Sequence, residues 1–146
     1  KQGVRVLIIG ERSRFSDKVK AALNRIESNT AHGQTMTLIL ALNYSSRSEI
    51  VVAVRDLAEK VASGVLKAEQ IDEQMISSAL YTAQIPDPDL IIRTSGECRL
   101  SNFLMWQASY SEFYFTDVLW PDFNKEELDK ALEAYAQRDR RYGLVK

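Results

Sequence analysis

Hydrophobic positions along the chain alternate between short continuous runs and helical spacing. Val4-Arg5-Val6-Leu7-Ile8-Ile9 is a nearly continuous apolar run between Gly3 and Gly10, and residues 35–42 and Leu90-Ile91-Ile92-Arg93 repeat the form. Runs of this length, rich in β-branched residues and bordered by Gly or Pro, predict buried strands. Between the first two, Phe15, Val19, Ala22 and Ile26 recur at helical spacing and predict a helix with these residues on one face. Ser46-Arg47-Ser48-Glu49 has capping-box spacing. The helix it opens carries Ile50, Val54, Leu57, Ala58 and Val61 and stops at Gly64. A shorter helix is expected over 72–80, after which Pro86 and Pro88 break the chain. A short strand returns at Glu112–Phe115. Asn124 and Glu127 form a cap pair for the last helix, Phe123 staples onto Leu128, and Leu128, Ala131, Leu132 and Tyr135 face inward.

Strands separated by twenty or so residues with a helix between them are crossover units, which build parallel sheets. The expected fold class is therefore α/β, a mostly parallel sheet with helices on both faces, in one domain spanning 1–146. Ligands of such sheets sit beyond the carboxyl ends of the strands. Functional residues should cluster just after Ile9, Leu42, Ile92 and Phe115.

Composition narrows the function classes. The 146 residues carry 19 Lys and Arg against 20 Asp and Glu, a net charge of −1, which gives no footprint for a nucleic-acid partner. The single Cys98 cannot form an intrachain disulfide and points to a reducing compartment. With one His, His32, and one Cys, neither a zinc site nor a Ser-His-Asp hydrolase is expected. Gly10 runs into Glu11-Arg12, so neither a dinucleotide fingerprint nor a Walker loop is present. Apolar runs fall far short of a membrane span of about 20 residues. A chain that opens on Lys1 directly against a core strand reads as a fragment of a longer protein.

Chemistry concentrates after the third strand, in Arg93-Thr94-Ser95-Gly96-Glu97-Cys98-Arg99-Leu100-Ser101-Asn102. If Arg99-Leu100-Ser101 is extended, Arg99 and Ser101 point to one side, and Arg93 completes a set of donors. Planar guanidinium groups bind phosphate oxygens bidentately, so two Arg and a hydroxyl suit a diphosphate. The structural alternative is an ion pair of Glu97 with Arg93 or Arg99. Glu112 lies among aromatic residues in Tyr110-Ser111-Glu112-Phe113-Tyr114-Phe115. It either pairs with an Arg or binds Mg²⁺, which takes one or two carboxylates plus substrate phosphates. Trp106 and Trp120 read as packing or subunit interface.

The segments Ile92–Glu97, Arg99–Gln107 and Tyr110–Phe115, with Val118-Leu119-Trp120-Pro121-Asp122-Phe123 and the closing Arg140-Arg141-Tyr142-Gly143, resemble the C-terminal signature of the cis-prenyltransferases, most closely the bacterial undecaprenyl diphosphate synthases. Asn43-Tyr44 and Arg47 fit the same resemblance, which runs through nearly the whole chain. It implies an enzyme that adds isopentenyl diphosphate in cis to an allylic diphosphate such as farnesyl diphosphate, with Mg²⁺ as cofactor. By the same resemblance Arg93, Arg99, Leu100 and Ser101 hold isopentenyl diphosphate, Glu112 binds Mg²⁺ and Glu97 supports the site. A homodimer is implied, in the cytoplasm, with peripheral membrane contact through the lipid product.

Two departures qualify the resemblance. Ser45-Ser46 stand where the family often has a Gly pair. The family's N-terminal strand, with its Asp-Gly-Asn-Gly-Arg loop for the allylic diphosphate, and a later Ser-Glu-Asn-Trp-type loop are not in these residues. The chain alone is therefore expected to be inactive, as the C-terminal portion of a single domain. The alternatives are a non-catalytic partner subunit of the same fold and a generic phosphate-binding α/β module.

Overall fold

The computed structural model of the chain describes residues 3–138. The Arg140-Arg141-Tyr142-Gly143 ending and Lys1 lie outside the described residues. The chain divides into two compact units, residues 1–84 and 85–146.

In the first unit the order is β1 (Val4–Ile9), α1 (Asp17–Thr30), β2 (Met36–Ala41), α2 (Ser46–Ala62) and α3 (Glu73–Ala79). β1 and β2 pair in parallel from Val4 opposite Met36 to Ile9 opposite Ala41, as the crossover requires. Gly10 has φ +113, and a Cβ there would lie 2.1 Å from the carbonyl oxygen of Leu42. A side chain is thus excluded where the two strand ends converge.

The helix α1 does not bury the face its apolar spacing predicts. Phe15 precedes the helix, whose N-cap is Ser16, while Val19 and Ile26 are exposed. Leu23 is the buried residue, and the polar Glu27 and Thr30 share its side of the helix. Both accept hydrogen bonds from β1, Thr30 from Val6 N–H at 3.0 Å and Glu27 from Ile8 N–H at 3.0 Å. Backbone donors of the strand, rather than apolar area alone, select the face.

Glu27 also receives both guanidinium nitrogens of Arg12, at 2.8 and 2.7 Å. The Arg12 hydrogen bonds hold the Glu27 carboxyl below the ordinary glutamate value of 4.5, against partial desolvation. A carboxyl with a lowered folded-state pKa stabilises fully above its unfolded value, and that contribution disappears as pH falls through the folded one. Urea denaturation from pH 7 to 3 should therefore show wild type losing about 1–2 kcal/mol more than Arg12→Met, most of it below pH 4.5. Parallel pH profiles would show that the pair is not coupled to folding.

The helix α2 starts one residue earlier than its capping-box spacing predicts. Ser45, not Ser46, is the N-cap, and its hydroxyl accepts from Ser48 N–H at 3.3 Å. Glu49 is released from the cap and is 1% exposed. Its Oε2 accepts from the Tyr44 hydroxyl at 2.5 Å and its Oε1 from Tyr81 N–H at 2.8 Å. This ties the exit of β2 to the exit of α3. Ala53 and Leu57 are the buried apolar residues of α2, while Val54 is exposed. Gly64, at φ +73, follows the C-cap as its left-handed stop.

In the second unit β3 (Leu90–Arg93) pairs in parallel with β4 (Glu112–Phe115), and α4 (Lys125–Ala136) packs on β4. Both strand spans coincide with the predicted ones. Asn124 caps α4 by accepting from Glu127 N–H at 3.1 Å. Ala131 is buried, whereas Leu128 and Leu132 are exposed rather than inward. The α/β class and the parallel pairing hold. Among the described residues the strands form two two-stranded parallel ladders.

Candidate functional site

The loop leaving β3 is fixed by the chain leaving β4. Thr116 N–H donates to the Arg93 carbonyl at 3.0 Å, Ser95 N–H to the Val118 carbonyl at 2.9 Å and Gly96 N–H to the Thr116 carbonyl at 2.9 Å. Ser95 and Gly96 take φ +68 and +67 to make the turn. Arg93 then reaches along the loop and donates to the carbonyl of Arg99, so the two Arg residues are held together through main chain.

The extended reading of Arg99-Leu100-Ser101 is corrected. Ser101 and Asn102 have φ +50 and +65, and Phe103 N–H donates to the Leu100 carbonyl at 3.2 Å. The segment turns, so strand alternation cannot place Arg99 and Ser101 on one side. What does converge is Arg93, Arg99 and Leu100 around a cavity of about 210 Å³, walled by Phe103, Phe113, Phe115, Ile91 and Ile92. Phe113 and Phe115 stack with ring centroids 6.0 Å apart. Ser101 and Glu97 do not line this cavity. Glu97 forms an ion pair with Arg99, so the structural alternative is also realised. A guanidinium has five N–H donors, and this pair leaves some of them for a ligand.

Glu112 is not brought to the same place within the ladder. It stands opposite Leu90, whereas Arg93 stands opposite Phe115. Three residues along a strand separate the two positions by about 10 Å. Glu112 instead has Arg138 Nε 3.8 Å from its Oε2, a counter-charge just beyond α4 that sequence spacing did not reveal. No group of three or more His, Cys, Asp or Glu gathers among the described residues, so they contain no all-protein metal cage. Mg²⁺ needs only one or two protein carboxylates when phosphates and water complete its shell, and Glu112 offers one, shared with Arg138.

Other groups stand apart from this site. In the first unit, burial, with the Glu11 and Glu49 carboxyls adding to it, pushes the Tyr81 phenol up. Cys98 is an exposed thiol. No helix is long and apolar enough to cross a membrane among the described residues.

The chain is similar to known proteins. The chain is 54% identical over 145 residues to an isoprenyl transferase of Brucella abortus, covering 99% of this chain and 57% of that protein. It is 48% identical over 145 residues to a ditrans,polycis-undecaprenyl-diphosphate synthase, (2E,6E)-farnesyl-diphosphate specific, of Xylella fastidiosa, with the same coverage of 99% and 57%. The chain thus spans little more than half the length of these relatives. Among solved structures, lavandulyl diphosphate synthase from Lavandula x intermedia superposes with a TM-score of 0.95 at 40% identity, over 99% of this chain and 62% of that one. A probable undecaprenyl diphosphate synthase from Campylobacter jejuni gives 0.84 at 34% identity, over 97% and 64%. Residues 1–143 match the prenyltransferase family model described as putative undecaprenyl diphosphate synthase, and the chain belongs to that family.

Proposed function

We propose that the complete protein condenses isopentenyl diphosphate in cis onto farnesyl diphosphate to build undecaprenyl diphosphate. The observation that carries this reading is the pairing of Arg93 and Arg99 at an otherwise apolar cavity in the second unit. Apolar walls lower the local dielectric and strengthen guanidinium–phosphate attraction. In the reaction the allylic C–O bond breaks and diphosphate leaves. A C–C bond forms to the terminal carbon of isopentenyl diphosphate, and a proton is lost. In this reading Arg93 and Arg99 hold the diphosphate of the incoming unit, with Leu100 against it, and Glu97 sets the position of Arg99. Bound Mg²⁺, held by Glu112, would neutralise charge on diphosphate oxygens. The protein would act as a homodimer in the cytoplasm and meet the membrane through its product.

The test uses the complete protein with labelled isopentenyl diphosphate, farnesyl diphosphate and Mg²⁺. Chains of many isoprene units are expected. Glu112→Gln keeps the shape and loses the charge a hard cation needs. Changes around metal ligands alone weaken affinity ten- to a hundredfold, so its half-saturating Mg²⁺ should rise at least about tenfold. An unchanged Mg²⁺ requirement would leave Glu112 as the ion-pair partner of Arg138. The likeness to lavandulyl diphosphate synthase, solved with dimethylallyl diphosphate, favours a second reading, a transferase that takes this shorter diphosphate. Turnover with dimethylallyl diphosphate and none with farnesyl diphosphate would establish that one instead.

A further inference from the structure

The edge of β1 turned away from β2 carries an unusual set of partners. Backbone groups of successive strand residues alternate in direction. The carbonyls of Gly3 and Ile9 accept from Thr35 and Leu42 on the β2 side. Odd-numbered residues therefore face β2, and Val4, Val6 and Ile8 present their N–H and C=O groups outward. An outward row of this kind is a template for another strand.

Side chains occupy that row. Val6 N–H donates to Thr30 Oγ1, and the same hydroxyl donates to the Ile26 carbonyl at 2.8 Å. Ile8 N–H donates to Glu27 Oε1, while Arg12 donates to the Ile8 carbonyl at 3.0 Å and to both Glu27 oxygens. Arg12 is itself fixed by Asn24 at 3.0 Å. Asn24, Glu27 and Thr30 are spaced three apart on one helical face, so a polar stripe of α1 runs antiparallel to β1, along its edge. That stripe explains why Val19 and Ile26 are left exposed.

We infer that Arg12, Glu27 and Thr30 seal the outer edge of β1 against strand addition, by another part of the protein or by a second copy of the chain. A strand pairing there would have to displace a bidentate ion pair and two hydrogen bonds to main-chain N–H groups. The ladder can then be extended across β2 and not across β1. This inference is independent of the diphosphate reading and concerns residues that do not line the Arg93–Arg99 cavity.

Residue-resolved amide hydrogen exchange on the complete protein tests it. In wild type, Val6 and Ile8 should be protected alongside Leu7 and Ile9. In Glu27→Ala/Thr30→Val, exchange at Val6 and Ile8 should rise about tenfold, the loss of one hydrogen bond, with Leu7 and Ile9 unchanged. Unchanged protection at Val6 and Ile8 would mean that another strand covers the edge, and the inference falls. If all four amides speed up together, the double variant has lost the strand, and Thr30→Val alone decides. It should release Val6 and spare Ile8, whereas an unaltered Val6 overturns the seal.

Discussion

Arg99→Ala in the complete protein raises the KM for isopentenyl diphosphate about ten- to a hundredfold, the loss of a charge-assisted hydrogen bond of about 1.5–3 kcal/mol. The KM for the allylic substrate should change much less. Arg99 lines the cavity, and its main-chain carbonyl, which anchors Arg93, survives the substitution. The variant therefore removes one guanidinium without releasing the other. It also strips Glu97 of its ion-pair partner, leaving a carboxylate in the loop that must accept an anion. Part of the loss should then be repulsion, and Glu97→Gln added to Arg99→Ala should recover some affinity. Arg99→Lys should fall between, since an ammonium keeps the charge but not the planar fork. Steady-state kinetics with each substrate varied separately checks all three variants. If Arg99 serves only Glu97, the variant loses stability and keeps both KM values.

The pocket was legible in the sequence as a cluster of residue types, and its geometry was not. Arg93 could be placed because a short apolar run between Pro88 and Gly96 can only be a strand, and Arg93 is its last residue. The turn at Ser101 and Asn102 could not, because it is made by non-glycine residues at positive φ, and only Asn hints at that conformation. The pattern places Glu112 on β4, yet nothing in the spacing fixes the parallel register that sets it opposite Leu90 and not Arg93. The buried face of α1 departs from its apolar spacing for a related reason. A period of apolar residues reports which face is greasy, whereas the strand beside α1 had backbone donors to satisfy. Glu27 and Thr30 meet that demand from positions a hydrophobic pattern scores as solvent.

The same demand makes Glu49 sensitive to substitution, and Glu49→Leu should destabilise the first unit by about 2–4 kcal/mol. Leu fills comparable volume and removes a buried charge, so transfer energy alone predicts a gain. Against that, Tyr81 N–H and the Tyr44 hydroxyl both lose their Glu49 acceptor in surroundings that Leu80, at 4% exposed, and Ala53, at 0%, help to keep dry. Each buried donor left unmet costs about 1–3 kcal/mol. The Tyr44 ring, in edge contact with the Tyr81 ring at 6.5 Å, would also lose the acceptor that holds its hydroxyl. Glu49→Gln separates the two explanations. Its remaining oxygen can accept from Tyr81 N–H, and its amide can donate to the Tyr44 oxygen. Urea denaturation of the complete protein, followed through the first unit by hydrogen exchange, should therefore place Glu49→Gln within about 1 kcal/mol of wild type and Glu49→Leu well below it. Equal losses would mean that the charge matters rather than the acceptors. A stabilised Glu49→Leu would mean that the tie between β2 and α3 contributes nothing to folding.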